Sequence, residues 1–114
     1  MDTLTAYLGH WARERPDHPA LIHGELTLSY AELDRRSDEL AGHFAPGERV
    51  ALMLPNCVEY VIAFFAVLKA GAIVVPVNPW FKEFEAAYQL NDSGATYVVA
   101  NASAAGLLER VIGG

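Results

Sequence analysis

The fold is decided by the stretch Leu68-Lys69-Ala70-Gly71-Ala72-Ile73-Val74-Val75-Pro76-Val77-Asn78-Pro79. Val58–Lys69, which leads into it, is long and apolar enough for a mostly buried helix. Gly71 follows that helix at the place where a left-handed glycine closes many helices. Ile73–Val77 is then a short apolar run, typical of a buried strand. The sequence therefore predicts a helix that leads directly into a buried strand.

Two further strand patterns flank this helix and strand. Arg49–Leu54 is an apolar run closed by Pro55-Asn56, and Thr96–Val99 is a later one. Between the second and third strands, helical spacing is carried by Phe84, Ala87, Tyr88 and Leu90-Asn91. Because parallel strands need a crossover connection, usually a helix, this alternation predicts a βαβαβ parallel open sheet with flanking helices, the last of them over Ser103–Ile112.

The N-terminal part has a different pattern. A short amphipathic helix ending near Arg15-Pro16 is indicated by the helical spacing of Leu4, Leu8, Trp11 and Ala12. Ala20–His23 and Leu26–Ser29 flank Gly24-Glu25, a pair that suits a type II′ turn. We therefore expect a short N-terminal helix and a β-hairpin before the α/β sheet.

A capped helix follows the hairpin. Ser29-Tyr30-Ala31-Glu32 has the Ser-x-x-Glu form of a capping box, and Pro46-Gly47 provides a stop signal. The apolar face of this helix is predicted to contain Leu33, Ser37, Leu40, Ala41 and Phe44. Its charged residues, interpreted as a solvated face, are Asp34, Arg35, Arg36, Asp38 and Glu39.

Length and composition favour one domain over residues 1–114, in which 53% of the residues are hydrophobic and a sizeable core can form. A net charge of −6 disfavours nucleic acid as a partner. The single cysteine, Cys57, excludes an internal disulfide and favours a reducing, cytoplasmic compartment. Val61–Leu68, the longest apolar run, is too short for a membrane span, and the N-terminus lacks the pattern of a secretory signal.

Several residues were considered as functional candidates. Cys57 follows Pro-Asn at a predicted helix start, where a lowered thiol pKa is conceivable, although a small packed residue is the simpler interpretation. Lys69 is assigned only a favourable interaction with its helix dipole. Metal binding is not predicted for the histidines, which fall on different elements without i, i+4 pairing and are His10, His18, His23 and His43.

Two neighbouring features point outward from the sheet. The loop Pro76–Pro79 ends a parallel strand, where open α/β sheets bind ligands, so it either borders a substrate channel or only directs the chain. Trp80 and Phe81 follow and are expected to be exposed. Adjacent exposed aromatic side chains are common anchors for a partner.

Three segments, in this order and spacing, resemble the N-terminal part of the adenylate-forming superfamily, which includes acyl-CoA synthetases, peptide-synthetase adenylation domains and luciferases. Leu28–Leu33 is similar to the family's L-T-Y-x-E-L, and Val50–Tyr60 is the second segment. Leu68–Pro79 is similar to L-K-A-G-A-x-x-V-P-x-N-P and is the most specific. Weaker likenesses are Arg15–Leu21 and Leu90–Ala95. Asn78-Pro79 resembles the acyl-CoA and aryl-CoA ligases more than the peptide synthetases, which usually carry aspartate there.

The resemblance implies the N-terminal portion, within the large subdomain, of an ATP-dependent, AMP-forming acyl-CoA ligase for fatty or aryl acids. The family's T-S-G-T-T-G-x-P-K loop, Y-G-x-T-E segment, ribose-binding aspartate and C-terminal lysine do not occur in these 114 residues. No catalytic, cofactor-binding or metal residue is therefore assigned, and ATP, Mg²⁺ and CoA are expected only in a full-length enzyme. The portion alone is not expected to be catalytically competent.

Alternatives remain open. The chain is either part of a longer protein, a natural split piece or a degenerate gene product. Two other functions are alternatives to an acyl-CoA ligase. The chain is then either a stand-alone interaction or dimerisation module derived from the same fold, or the N-terminal piece of a peptide-synthetase adenylation domain. The expected partner is a complementary ligase segment, or a second copy bound through an apolar surface near Trp80 and Phe81.

Overall fold

A computed structural model describes residues 4–55, 57–80 and 82–100. In chain order, its elements are α1 (Leu4–Glu14), β1 (Pro19–His23), β2 (Leu26–Ser29), α2 (Tyr30–Ala41), β3 (Arg49–Met53), α3 (Val58–Lys69), β4 (Ile73–Pro76), α4 (Glu83–Ser93) and β5 (Tyr97–Ala100). These elements follow the predicted order. The helix predicted over Ser103–Ile112 lies outside the described residues, as does Phe81.

The central sheet is parallel and has the strand order β4-β3-β5. Val50 of β3 is paired with Val74 on one side and with Tyr97 on the other. The predicted α/β fold, with a helix and hairpin before a βαβαβ unit, is therefore confirmed. The third strand begins at Tyr97 rather than Thr96, whose amide donates instead to the Arg49 carbonyl oxygen at 2.9 Å.

The central strand β3 is buried on both of its faces. Val50 and Leu52 pack against α3, while Ala51 and Met53 pack in the cluster that contains α4, and all four are 0% exposed. Alternate residues of a strand point to opposite faces, so one uninterrupted apolar run supplies both cores. Helices therefore cover the sheet on both sides.

Helix α3 is apolar around most of its circumference because it is packed on two sides. Ala63, Ala66 and Val67 face the sheet, and the small alanines let the helix approach β3 closely. On another side, Val58 belongs to a cluster with Leu8, Leu28 and Leu33 of the N-terminal elements. A helix that is hydrophobic nearly all round is expected in such an interior position.

The N-terminal elements form a layer over α3. Leu8 of α1 is 1% exposed, whereas Leu4, which was predicted on the same apolar face, is 55% exposed. In the antiparallel β1–β2 hairpin, His23 is paired with Leu26 across a two-residue loop. Gly24 has φ +63° and Glu25 does not have a positive φ, which fits the predicted type II′ turn.

One half of the predicted capping box is present at the start of α2, whereas the Glu32 carboxylate lies 3.6 Å from Nη2 of Arg36 instead of bonding back to Ser29. The Ser29 hydroxyl accepts a hydrogen bond from the Glu32 amide at 3.2 Å. The amides of Tyr30 and Ala31 donate to the carbonyl oxygens of His18 and Pro16. These two amides are thus paired with the loop between α1 and β1, which fixes the start of α2 against that loop.

The expectation of a second buried strand is wrong for β4. Ile73 is 48% exposed and Pro76 is exposed, although Val77 just beyond the strand is 4% exposed. Within the described sheet, β4 pairs only with β3 and lies at an edge. Its apolar residues are therefore only partly covered.

The interpretation of Lys69 as a simple dipole partner is also wrong. Its Nζ lies 2.7 Å from Oδ1 of Asp34 and 2.7 Å from Oδ1 of Asp38, and it donates to the Asp34 carbonyl oxygen at 3.0 Å. The lysine side chain is only 13% exposed. Lys69 therefore joins the end of α3 to α2, and Asp34 and Asp38 are not simply part of a solvated face.

Replacing Lys69 with Met, which keeps the apolar stem, is expected to destabilise the protein by about 1–3 kcal/mol, because both carboxylates lose their cation. Urea denaturation would measure the change. Lys82→Met, at an exposed lysine, is the control and should leave the urea midpoint near that of the wild type. Equal midpoints for the two variants would contradict this role.

Gly71 allows the turn from α3 into β4 by adopting φ +73°. A methyl group there would meet only ordinary contacts with Pro46, so the cost of Gly71→Ala comes from the backbone. We expect a loss of about 1–2 kcal/mol. Gly42→Ala, at a residue with φ −62° and similar space, should instead be neutral or stabilising by up to about 1 kcal/mol. Thermal unfolding of the two variants would show whether the shifts have opposite signs.

Candidate functional site

The carboxyl ends of β3 and β5 form the edge where this topology favours a ligand site. From β3, the chain passes through α3 to β4 on one side, and then returns through α4 to β5 on the other side of β3. The strand order therefore reverses between β3 and β5. Open α/β sheets bind ligands in the crevice outside the carboxyl ends of strands at such a switch point.

A groove of about 530 Å³ lies at this edge. The described residues that line it are Leu40, Leu54, Pro55, Cys57, Glu59, Ile62, Ala63, Val99 and Ala100. Most of these side chains are apolar, and the polar groups among them are the Cys57 thiol and the Glu59 carboxylate. The groove is suited to an apolar group, whereas a ligand carboxylate near Glu59 would be repelled.

Cys57 occupies the N-cap position of α3 without a side-chain capping bond. Burial raises the pKa of its thiol, and Glu59 raises it further by accepting a hydrogen bond and through its negative charge. The amide of Tyr60 acts in the opposite direction. Because the net shift is upward, the suggestion of a lowered thiol pKa is wrong.

The loop Pro76–Pro79 is held on the other side of β3 from the groove. The Val77 amide donates to the Leu52 carbonyl oxygen at 3.0 Å, and Gln89 of α4 donates through Nε2 to the Pro76 carbonyl oxygen at 3.0 Å. Asn78 Oδ1 accepts from the Trp80 amide at 2.8 Å. An aspartate could make the same contact, so this turn does not explain why asparagine is present. A role in a substrate channel stays a prediction.

Glycines and histidines are residue types that can bind phosphate groups or metal ions. Among the described residues, Gly42 and Gly94 lie at helix ends and Gly47 lies in a turn, so these three glycines are well separated in the chain. Among the described residues, no group of three or more His, Cys, Asp or Glu side chains is placed to hold a metal ion. The side chain of His23 is not among those described.

An exposed aromatic surface on α4 is a second candidate site. Phe84 and Tyr88 are 82% and 68% exposed, and Trp80, just before the helix, is 79% exposed. The predicted exposure of Trp80 is confirmed. The sequence pattern grouped Phe84 and Tyr88 with Leu90, but the side of α4 that is buried contains Ala86 and Leu90. The i, i+4 spacing of the two aromatic residues was the available signal.

No helix in the described part of the chain has both the length and the apolar character required to cross a membrane.

Comparison with known proteins gives consistent results. The profile of the family described as AMP-binding enzyme matches residues 8–112. The long-chain-fatty-acid–CoA ligase of Haemophilus influenzae is 42% identical over 88% of this chain and 19% of its own length. Surfactin synthase subunit 2 of Bacillus subtilis is 36% identical over 87% of this chain and 3% of its own. The chain thus spans about a fifth or less of these relatives.

Among solved structures, the N-terminal domain of FACL13 from Mycobacterium tuberculosis superposes with a TM-score of 0.86 and 28% identity. The match covers 96% of this chain and 30% of that one. The likeness therefore extends through the N-terminal layer as well as the sheet.

The raised thiol pKa of Cys57 predicts slow alkylation by iodoacetamide at neutral pH, because less thiolate is present. The midpoint of the rate against pH should lie above that of the chain unfolded in urea. Glu59→Gln removes the charge that raises the pKa and should lower the midpoint. A midpoint below the unfolded value, or one that Glu59→Gln raises, would contradict the assignment.

Proposed function

Because this chain belongs to the AMP-binding enzyme family, we propose that it acts as the N-terminal portion of an ATP-dependent, AMP-forming acyl-CoA ligase. The proposal rests on the extent of the match to a long-chain-fatty-acid–CoA ligase. Most of this chain, 88%, aligns with 19% of the length of that enzyme. Such an enzyme forms an acyl-adenylate from a carboxylic acid and ATP, with release of pyrophosphate, and then transfers the acyl group to the thiol of CoA, with release of AMP. Fatty acids are the favoured substrate class.

The chain's own contribution is structural. The phosphate groups of ATP need backbone amides, lysine and a metal arranged around them. The Gly-rich phosphate loop of the family does not occur in these 114 residues, so no nucleotide step is assigned to them. ATP, Mg²⁺ and CoA would be bound by segments that the ligase relatives have outside the matched portion. A cytoplasmic location and a role in fatty-acid metabolism are part of the proposal.

Peptide-synthetase adenylation is the second candidate function, because a surfactin synthase subunit is also similar. Asn78 favours the acyl-CoA ligases, since the peptide synthetases usually have aspartate there. Two chimaeras would separate the candidates, with the chain replacing the matching portion of each relative. The acyl-CoA ligase chimaera should retain the larger fraction of its parent's activity.

The isolated chain is expected to catalyse no ATP–pyrophosphate exchange and to show no rise in melting temperature with ATP. A ligand at one hundred times its dissociation constant stabilises a folded protein by about 2.7 kcal/mol, so even modest affinity would be detected. The chimaera with the Haemophilus influenzae ligase should form palmitoyl-CoA from palmitate. Exchange by the isolated chain, or a folded chimaera without this activity, would contradict the proposal.

A further inference from the structure

Helix α4 has two apolar sides, and only one of them is covered in the described part of the chain. Ala86 and Leu90 face the sheet and are 0% and 8% exposed. Phe84 and Tyr88 are largely exposed on another side, and Trp80, which is also exposed, comes shortly before the helix in the chain. We call these three residues the aromatic face. Single exposed apolar residues are common, whereas several large exposed aromatic side chains on one short stretch of chain are typical of an interaction surface.

The aromatic face also has a suitable shape. Phe84 and Tyr88, with Glu85 and Gln89, line a shallow depression of about 320 Å³. Apolar anchors surrounded by polar side chains are typical of the energetic centre of an interface. The depression would accept apolar side chains from a partner.

We propose that the rest of the ligase packs onto this chain at the aromatic face. This inference rests on the proposed function. The occupant is the segment that the relatives have outside the part matched here, which is about four fifths of the Haemophilus influenzae ligase. A core that continues from α4 into that segment would bury the aromatic face.

The aromatic side chains alone do not supply the area of a stable interface between separate proteins. Full burial of an aromatic side chain removes about 150–250 Å² from solvent, so three such residues at their observed exposure offer roughly 500 Å². A stable interface between free partners needs about 800 Å² on each side. A covalently joined segment needs less, because its effective concentration is high.

Charge disfavours a second copy of this chain as the occupant. Each copy carries a net charge of −6. Over the sequence 82–93, which contains α4, Glu83, Glu85 and Asp92 are acidic and Lys82 is basic. A two-fold pairing through α4 would bring these acidic groups together, because the same surface is used by both copies.

The test compares hydroxyl-radical oxidation of Phe84 and Tyr88 in the isolated chain and in the chimaera with the Haemophilus influenzae ligase. We expect several-fold slower oxidation in the chimaera. Ile22 of the hairpin, which is 71% exposed, is the internal control and should be oxidised at similar rates in both. If Phe84 and Tyr88 are each oxidised as fast in the chimaera as in the isolated chain, the proposal is overturned. If Phe84 and Tyr88 become more protected from oxidation as the concentration of the isolated chain rises, a second copy is the occupant. That result would also overturn the proposal.

Matched variants provide an independent measurement. Phe84→Gln with Tyr88→Gln should leave the melting temperature of the isolated chain nearly unchanged and lower that of the chimaera by several degrees. Ile22→Thr with Leu26→Thr, at exposed hairpin positions, should change neither protein much. If the chimaera does not accumulate, the tagged chain can be co-expressed with the remainder of the ligase as a separate chain. The oxidation of Phe84 and Tyr88 is then measured in that complex and in the isolated chain.

Failure of this proposal and failure of the proposed function are distinguishable. An active chimaera in which the aromatic face remains fully reactive would reject the docking surface and keep the function. A folded, protected but inactive chimaera would reject the function and keep the docking surface.

Discussion

The structure depends on the burial of β3 from both sides. Val50 and Leu52 are removed from solvent by α3, and Ala51 and Met53 by the layer that contains α4. A strand with apolar residues on both faces is stable only between two covering layers, each contributing hydrophobic stabilisation in proportion to the area it buries. The chain supplies these layers by sending α3 to one face and α4 to the other. That route creates the strand reversal beside β3 and the groove at its carboxyl end.

Much of this arrangement could be predicted because it is encoded locally. The apolar run of β3 requires burial on both faces, and the Ser29 hydroxyl caps α2 as its spacing from Glu32 indicated. Gly71 adopts the left-handed conformation expected after α3. Each of these features depends on residues within a few positions of one another, where backbone geometry leaves few choices.

The features that could not be predicted depend on distant parts of the chain. Lys69 is separated from its partner Asp34 by 35 positions, so nothing near it in sequence indicated a link between helices. Alternation of strands and helices does not determine strand order, and the edge position of β4 followed only from the structure. The groove was missed for the same reason, since it needs β5 beside β3. On α4, helical spacing identified apolar residues but not which of them face inward.

The two layers over β3 are unequal, and this difference has a functional meaning. Outside α3 lie α1, α2 and the hairpin, so residues such as Val58 on its outer side are buried. Among the described residues, the side of α4 that bears Phe84 and Tyr88 has no comparable cover. The same apolar chemistry therefore completes a core on one side of the sheet and leaves an open surface on the other. Under the proposed function, the side of α4 that bears Phe84 and Tyr88 is where further sequence would extend the apolar layer over β3.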